Sequence, residues 1–259
     1  MESVRTITRQ FLSLNRRASS AWERRIAHAS PLIYDEYINQ VVAQLDKDSS
    51  AKTVLDVGAG KSTVFLPNVA NRDNLWLVGV DVSMEEMELN ADLDEKHVAD
   101  VSQHIPLTAD SVDIVVSHAV LEHLPSIDVF WKEVFRVLRP GGSSVHLFPS
   151  KYAPFSIANR LLPNWLVLRI LDRLHPDFIG KHGFVAHYDE CTAADMARVI
   201  EKNGLIVEEV RISYYQAPYY AFLFPLYVLN VLYEKVLVFF DARRLAASVM
   251  IVARKPDKE

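Results

Sequence analysis

The chain lacks several features that common classes of protein require. Its 259 residues include one cysteine, Cys191, so no disulfide can form within the chain, and the composition predicts a reducing, cytoplasmic environment. Basic residues number 28 against 33 acidic ones, and the formal net charge of -5 argues against nucleic acid as the main partner. The first residues lack the continuous apolar core of a secretory signal. A chain of this length can bury one sizeable core, with insertions, or form two small domains, and half of its residues are hydrophobic.

Residues 54–62, VLDVGAGKS, have the pattern of a buried parallel strand that ends in a tight turn. Gly58 and Gly60 let the backbone approach a ligand closely, because a side chain at either position would occupy the ligand's space. A helix expected after the turn would present free N–H groups to the same ligand. Pro67 restricts that helix, since proline is accommodated only in a first turn or at a kink, and the helix start is left open.

Three kinds of ligand site compete for this glycine loop. A phosphate-binding P-loop needs a glycine where Leu55 stands, so that function is rejected. A dinucleotide site needs a small residue at the position of Thr63, and Asp56 would repel a pyrophosphate. A ligand with a cationic end and no phosphate suits the loop, because the carboxylate of Asp56 can hold an ammonium group. S-adenosylmethionine is a ligand of this kind.

Acidic residues also follow the next two predicted strands. Residues 75–80, LWLVGV, lead into Asp81, where a doubly wound fold places the partner of a ribose diol. Val82 and Met84 come next and offer apolar contact to an adenine ring, although an ordinary helix start has the same pattern. Residues 97–100, HVAD, end in Asp100, an acid that is also typical of a turn. The spacing of Asp81 from Asp56 agrees with S-adenosylmethionine as the ligand.

The chain from about residue 50 to 150 resembles the class I, Rossmann-like methyltransferases that use S-adenosylmethionine. The resemblance rests on the glycine loop, on residues 110–124, DSVDIVVSHAVLEHL, and on LRPGG at 138–142. It implies an α/β fold with a doubly wound, mostly parallel seven-stranded sheet, whose last strand, at 248–254, is antiparallel beside the fifth. It also implies that the Val101 N–H and the Asp100 carboxylate contact the adenine. The full set of implied cofactor-binding residues is Asp56, Gly58, Gly60, Asp81, Val82, Asp100, Val101 and Ser117.

Further patterns predict the elements that complete the sheet. Residues 127–138 form an amphipathic helix that is stopped by the proline and glycines at 140–142, and residues 144–148 form the fifth strand. Thr192 with Asp195 is typical of a capping box at a helix start, and Asn203 with Gly204 of a helix end. A sixth strand is predicted at 205–212.

Helical segments flank and interrupt this scheme. Residues 1–50 are predicted to form an N-terminal helical cap of two helices, followed by a methyltransferase domain at 51–259 with apolar helical insertions at about 154–183 and 214–244. The first thirty residues carry six arginines against two glutamates, which favours either a solvated helix face over the cofactor or an amphipathic helix on an anionic membrane. The second insertion has no formal charge between Arg211 and Glu234, but Pro218 and Pro225 argue against a simple membrane span. An interfacial or substrate-covering helix fits it better.

Three histidines are candidate bases for methyl transfer. Transfer from a sulfonium is an in-line displacement, so a base is needed only when the nucleophile is a hydroxyl or an acidic carbon. His118 and His123 follow the fourth strand, and His187 opens the loop before the sixth-strand helix; a structural role is the alternative for each. Glu122 beside His123 matches neither HExxH nor a facial triad, so no metal site is predicted.

The sequence therefore predicts S-adenosylmethionine-dependent transfer of a methyl group to a small or lipophilic acceptor, at oxygen. The alternative is a cofactor-binding scaffold or a membrane-associated partner subunit without turnover. A nicotinamide-dependent oxidoreductase is disfavoured by Asp56 and Thr63, and methylation of protein stays open. The expected location is cytoplasmic, with contact to a membrane surface, and the oligomeric state is left undetermined.

Overall fold

A seven-stranded sheet with the order β3-β2-β1-β4-β5-β7-β6 organises the structure. The computed structural model describes residues 2–25, 33–48, 50–163, 169 and 185–258, with side chains from residue 9 onward. The strands are β1 (Lys52–Val57), β2 (Leu75–Asp81), β3 (Glu95–Val98), β4 (Val112–His118), β5 (Leu138–Pro149), β6 (Ile206–Ser213) and β7 (Ser248–Arg254). The α-helices in the described part of the chain are α1 (Glu2–Glu23), α2 (Ile33–Leu45), α3 (Met84–Glu88), α4 (Ile127–Val137), α5 (Pro154–Leu161), α6 (Ala193–Lys202) and α7 (Phe224–Phe239).

The chain divides into two units, each with its own internal contacts. The sheet unit comprises residues 32–151, 186–212 and 248–259 and holds the strands with α2, α3, α4 and α6. The helical unit comprises residues 1–31, 152–185 and 213–247 and holds α1, α5 and α7. Helix α2 groups with the sheet, whereas the sequence placed it with α1 in one cap at residues 1–50. The domain boundaries expected from the sequence stay a prediction.

The sheet is mostly parallel, as the sequence resemblance implied. Strands β1–β2, β2–β3, β1–β4 and β4–β5 pair parallel, and β7 pairs antiparallel with β5. The apolar runs of the central strands are buried, with Val54, Leu55 and Val115 fully inaccessible, as expected for strands covered on both faces. The register sets Asp56 beside Gly79 on β2 and Val116 on β4. The carboxyl ends of β1, β2 and β4 therefore lie side by side, where an open parallel sheet forms its ligand crevice.

Helices cover the sheet because each buries an apolar stripe. Helix α2 joins one core cluster through residues such as Tyr37 and Val41, and α4 and α6 join a second cluster through Trp131 and Met196. The predicted N-cap of α6 is confirmed, since the Asp195 N–H donates to the Thr192 hydroxyl at 3.2 Å, but the Thr192 N–H donates to the Glu190 carbonyl at 2.8 Å. The same helix ends at Lys202, and Gly204 follows it with a φ of +85°.

The connection from β1 to β2 departs from the sequence expectation. The helix expected after the glycine loop is absent: residues 58–74 contain the two short 3₁₀ turns Leu66–Asn68 and Arg72–Asn74 and no α-helix. Pro67 cannot donate to a helix interior, and side chains beyond β2 bond the loop backbone instead. The Thr63 N–H donates to the Asp92 carboxylate at 3.1 Å, and the Asn90 amide donates to the Ala59 carbonyl at 3.1 Å. The glycine loop is therefore not followed by a helix N-terminus.

The fifth strand is longer than the predicted 144–148. β5 begins at Leu138, directly after α4, and includes Pro140 and both glycines of the LRPGG segment. Its pairing with β4 shifts register between Val112 and Ile114, and Gly141 has a φ of +77°. The start of β5 is therefore irregular, since glycine at positive φ is the usual residue at a bulge. The predicted bounds of the last strand, 248–254, are confirmed, and the sixth is offset by one residue.

The helical unit is held by contacts between α1 and the segment that leads into α7. The Phe224 N–H donates to the Asn15 side chain at 2.9 Å, the Ser19 hydroxyl donates to the Ala221 carbonyl at 3.2 Å, and the ring of Trp22 packs on the edge of Phe224. Much of the first predicted insertion, at 164–168 and 170–183, lies outside the described residues. In the part of the chain that the structure describes, no helix is long and apolar enough to cross a membrane.

Candidate functional site

Backbone hydrogen bonds bring the glycine loop against the end of β2. The Gly58 N–H donates to the Val80 carbonyl at 2.7 Å, and the Gly60 N–H donates to the Asp81 carboxylate at 3.1 Å. The carboxyl ends of β1 and β2 are thus joined by the loop itself. The loop thus links two strand ends that each carry an acid, Asp56 on β1 and Asp81 on β2.

The two glycines of the loop are needed for different reasons. Gly58 has a φ of +68°, and a Cβ built on it would lie 2.3 Å from Cγ2 of Val120. Gly60 has a φ of +44°, but a Cβ there would meet no heavy atom closer than the Gly58 carbonyl at 3.9 Å. Gly58 is therefore required by packing within the protein, whereas Gly60 leaves space in which a ligand can approach the backbone.

Asp56 is a buried carboxyl group at the end of β1. Burial raises its pKa from 3.8 to about 7, the nearby Thr63 hydroxyl acts in the opposite direction, and the charges of Asp81 and Asp92 raise it further. Within the described residues, no lysine or arginine forms an ion pair with it. A cationic group bound here would gain a carboxylate partner out of water, so the position fits the ammonium end of S-adenosylmethionine.

Asp81 and Asp100 already accept hydrogen bonds and keep capacity for more. The second oxygen of Asp81 accepts the Ser83 N–H at 3.0 Å, so each oxygen of this carboxylate has one lone pair left. Asp100 accepts from the Ser102 hydroxyl at 2.6 Å, from the Ser102 N–H at 2.9 Å and from Gln103 at 2.7 Å. The Ser102 hydroxyl contributes most to lowering the pKa of Asp100. The Asp100 carboxylate therefore stabilises the turn that follows it, and its second oxygen can still accept a hydrogen bond from one further donor.

The remaining cofactor candidates differ in how they present their side chains. Val82 is exposed and Val101 is buried. Ser117 is fully buried, and its hydroxyl lies 2.7 Å from Nδ1 of His146, a ring that packs edge-on against Phe130 and Trp131. Burial lowers the pKa of His146 to about 3, so this imidazole is neutral. The Ser117 side chain is directed into the core and away from the loop crevice.

His118 ends β4 among aromatic rings of α2. Its ring lies 5.2 Å from that of Tyr34, edge to face, and 5.9 Å from that of Tyr37, stacked. The residue is partly open to solvent, but packing against these rings desolvates the imidazole and lowers its pKa. Ala119, with a φ of +56°, turns the chain sharply after it. The charge of Asp56 helps to raise the pKa of Tyr37, so His118 and Asp56 share one neighbour.

The other two candidate bases meet at Glu122. The Glu122 carbonyl accepts the N–H groups of His187 at 2.7 Å and Tyr188 at 2.9 Å, and Nε2 of His123 lies 3.6 Å from the Glu122 carboxyl. That carboxyl is 4% exposed, and burial raises its pKa to about 8. The structure thus brings His123 and His187 together, and it groups His118 with the tyrosines. The sequence interpretation missed Tyr34, Tyr37 and Val120, although the two tyrosines stand three residues apart on one helix face.

Comparisons with known proteins agree with this geometry. Residues 55–145 match the family model described as a methyltransferase domain. The chain is 31% identical over 144 residues to an uncharacterised methyltransferase of Mycobacterium sp. (strain KMS). The matched region covers 54% of this chain and 55% of that protein. Residues 55–145 therefore resemble a methyltransferase domain, and the match covers about a third of the chain.

Further relatives of the methyltransferase domain differ in their printed activities. The ubiquinone/menaquinone biosynthesis C-methyltransferase UbiE of Nitrosospira multiformis is 32% identical over 105 residues, 38% of this chain and 43% of that protein. The [4+2]-cyclase SpnF superposes with a TM-score of 0.55 at 16% identity, over 86% of this chain and 81% of that one. An S-adenosylmethionine dependent methyltransferase from Mesorhizobium loti superposes with a TM-score of 0.51 at 17% identity, over 83% of this chain and 96% of that one. The chain spans about half the length of the curated relatives it matches, and the solved structures show the fold alone.

Proposed function

We propose that this protein transfers the methyl group of S-adenosylmethionine to an oxygen of a small or lipophilic acceptor. The observation that carries the proposal is the buried carboxyl group of Asp56, which has no cationic partner among the described residues and stands four residues before Gly60, where an added Cβ would meet no close atom. The bound cofactor would supply an activated methyl group on a sulfonium. The protein's part is to hold the reactants in line and to exclude water.

Each strand end offers one kind of contact to such a cofactor. Asp56 would hold the ammonium group, the free lone pairs of Asp81 would accept the two ribose hydroxyls, and the second oxygen of Asp100 would accept the adenine amino group. Gly60 keeps the backbone clear for the ligand. The methyltransferase domain thus has unused hydrogen-bonding capacity at three points that match three parts of one molecule.

His118 is the best-supported base for an oxygen acceptor. Its lowered pKa keeps the imidazole neutral at physiological pH, which is the state that accepts a proton from a hydroxyl. It also shares Tyr37 with Asp56, whereas the contacts of His123 and His187 are to Glu122. The rings of Tyr34 and Tyr37 beside it favour an aromatic or lipophilic acceptor, as does the apolar composition of the two insertions.

A carbon acceptor is the second candidate. It is favoured by the identity shared with UbiE, a C-methyltransferase by name, and a base near the acceptor would serve both reactions. Product analysis distinguishes an oxygen from a carbon acceptor. An O-methyl product of a phenol or quinol loses its acidic hydroxyl, whereas a C-methyl product retains it.

Calorimetric titration with S-adenosylmethionine and S-adenosylhomocysteine tests the cofactor site. The substitution Asp81→Ala should weaken binding about tenfold or more, since hydrogen bonds to a charged group are lost. Asp73→Ala is the matched control, because Asp73 is an exposed acid in the same β1–β2 connection. Equal binding by both variants would refute the assignment of the site.

Turnover is then measured with a panel of phenols, quinols and hydroxylated lipids. His118→Gln should lower the rate constant by roughly 10²-fold or more for a hydroxyl acceptor and leave cofactor affinity near that of the wild type. Cofactor binding with no turnover on any acceptor would favour the non-catalytic scaffold.

A further inference from the structure

An exposed apolar stripe runs from Leu229 in helix α7 to Phe240, the residue that follows the helix. The stripe consists of five side chains at spacings of three and four residues, with Phe239 81%, Phe240 71% and Leu229 62% exposed. The complete set is Leu229, Leu232, Val236, Phe239 and Phe240. None of these side chains has a polar atom, so the stripe offers no directional hydrogen bond to a partner. The described residues leave this apolar surface uncovered, and such surfaces are typical of a binding site for a protein or a membrane.

The opposite face of α7 fixes how the helix is oriented in its unit. Asn230 and Glu234 are buried there, and the Glu234 carboxylate accepts from the Asn230 amide at 2.6 Å and from the Gln216 N–H at 2.8 Å. Tyr227 and Val231 pack on the same side. The helix therefore buries Asn230 and Glu234 inside the helical unit, while the apolar stripe and Lys235 are exposed.

Basic residues lie at the C-terminal part of the stripe, together with one exposed acid, Asp241, and they dominate the charge of the unit. Lys235, Arg243 and Arg244 are exposed beside it or just after it. In the sequence of the helical unit, 13 lysines and arginines stand against six acidic residues, a net charge of +7. The sheet unit has 15 against 27, a net charge of -12. The chain's overall negative charge thus conceals a strongly basic unit.

We propose that the α7 stripe docks on an anionic lipid bilayer, with the helix lying in the plane of the interface. Leu, Val and Phe side chains enter the acyl boundary, and Lys235, Arg243 and Arg244 contact lipid phosphates. A symmetric dimer through this face would bring two units of charge +7 together, and five side chains of one helix fall short of the roughly 800 Å² per partner of a standard protein interface. This inference is independent of the proposed methyl transfer.

Flotation with lipid vesicles tests the surface directly. The purified protein is mixed with vesicles of phosphatidylcholine alone and of phosphatidylcholine with one third phosphatidylglycerol. The wild type should float with the anionic vesicles, and Phe239→Ser with Phe240→Ser should lower the partition coefficient about tenfold or more, because two exposed rings no longer enter the membrane. Arg243→Ser with Arg244→Ser should lower the partition coefficient about fivefold for each charge removed, and added salt should also lower it. Ile206→Ser, an exposed apolar residue on β6 of the sheet unit, is the control that should change nothing.

The outcomes separate the occupants of the stripe. No binding to anionic vesicles overturns the proposal, as does binding that both phenylalanine substitutions leave unchanged. Self-association that is lost in the phenylalanine variant, without vesicle binding, would make the stripe a dimer interface instead. Thermal unfolding checks that each variant is folded, and Leu229→Ser provides a single-site variant elsewhere on the stripe. A protein that floats but binds no cofactor would refute the methyltransferase proposal and leave the membrane surface intact.

Discussion

At the scale of the residue, the state of Asp56 links cofactor binding to protons. Its raised pKa means that the free protein holds a neutral carboxyl group below about pH 7, whereas an ammonium ligand pairs with the ionised form. Affinity for S-adenosylmethionine should therefore rise as pH increases from 5 to 7 and then level off, by up to about tenfold per pH unit. Titration calorimetry in two buffers of different ionisation enthalpy would detect the released proton.

The matching variant is Asp56→Asn, which cannot release a proton. This variant should bind S-adenosylmethionine more weakly than the wild type at pH 8, and its affinity should no longer rise between pH 5 and 7. An unchanged slope in this variant would assign the linkage to another group.

Glu122 makes the free energy of unfolding fall as pH rises, whereas a carboxylate with a lowered pKa makes it rise. Its pKa is about 8 in the folded protein and near 4.5 when unfolded, so between these values the folded state holds a proton that the unfolded state has lost. Its contribution to the free energy of unfolding falls as pH rises from 4.5 to 8, by at most about 1.4 kcal/mol per pH unit. Glu122→Gln should therefore gain stability over the wild type at pH 8 relative to pH 5.

Urea denaturation at the two pH values measures this gain. Asp56 and His146 also make the free energy of unfolding depend on pH, and the lowered pKa of His146 makes it rise with pH between about 3 and 6.5. These contributions cancel when the free energies of unfolding of variant and wild type are subtracted at each pH. Glu208→Gln, at a partly exposed ion pair with Arg254, is a control. A pH-independent difference for Glu122→Gln would show that its carboxyl is not protonated in the native state.

At the scale of the element, the glycine loop depends on the turn after β4. Gly58→Ala should destabilise the fold by roughly 2 kcal/mol or more, because its Cβ meets Val120 and its φ is positive. Adding Val120→Ala should recover part of that loss, since the closest atom is removed. Gly60→Ala meets open space but has a φ of +44°, so it should cost about 1 kcal/mol of stability, less than Gly58→Ala, and should lower cofactor affinity as well. Thermal unfolding of the three variants, with calorimetry, separates the two roles.

Helix α6 offers a second element whose stability rests on one side chain. Thr192→Ala removes the acceptor for the Asp195 N–H and should cost about 1 kcal/mol, whereas Thr192→Ser should retain most of it. Denaturant unfolding monitors both. Equal losses in the two variants would mean that the threonine methyl, and not the hydroxyl, stabilises the helix.

The sequence predicted most elements because their signals are local. The buried runs at β1, β2 and β4 have no competing pattern, and the caps of α6 follow from Thr192, Asp195 and Gly204. The missing helix after β1 was not predictable in this way, since Thr63 and Ala59 are bonded by side chains some thirty residues later. The same holds for Ser117, whose partner His146 stands on the neighbouring strand. Chemistry that depends on nonlocal pairing needs the fold.

At the scale of the whole molecule, the sheet should be the slowest part to open. Strands β1 and β4 are paired on both sides and buried, so their amides should show the greatest protection in hydrogen exchange. The amides of α1, whose described side chains are mostly exposed or half-buried, should exchange faster. Exchange measured by mass spectrometry would contradict this order if α1 peptides were as protected as those of β4.

The position of β7 has a consequence for synthesis on the ribosome. β7 is the seventh strand in sequence, yet it lies between β5 and β6. At roughly 5 to 20 residues per second, β7 is made about 5 to 20 seconds after β5, and during that interval the edge of β5 has no partner. β6 also emerges before the strand that it must pair with. The nascent chain therefore carries an apolar strand edge for seconds, a period in which a chaperone that binds extended apolar segments has its natural point of action.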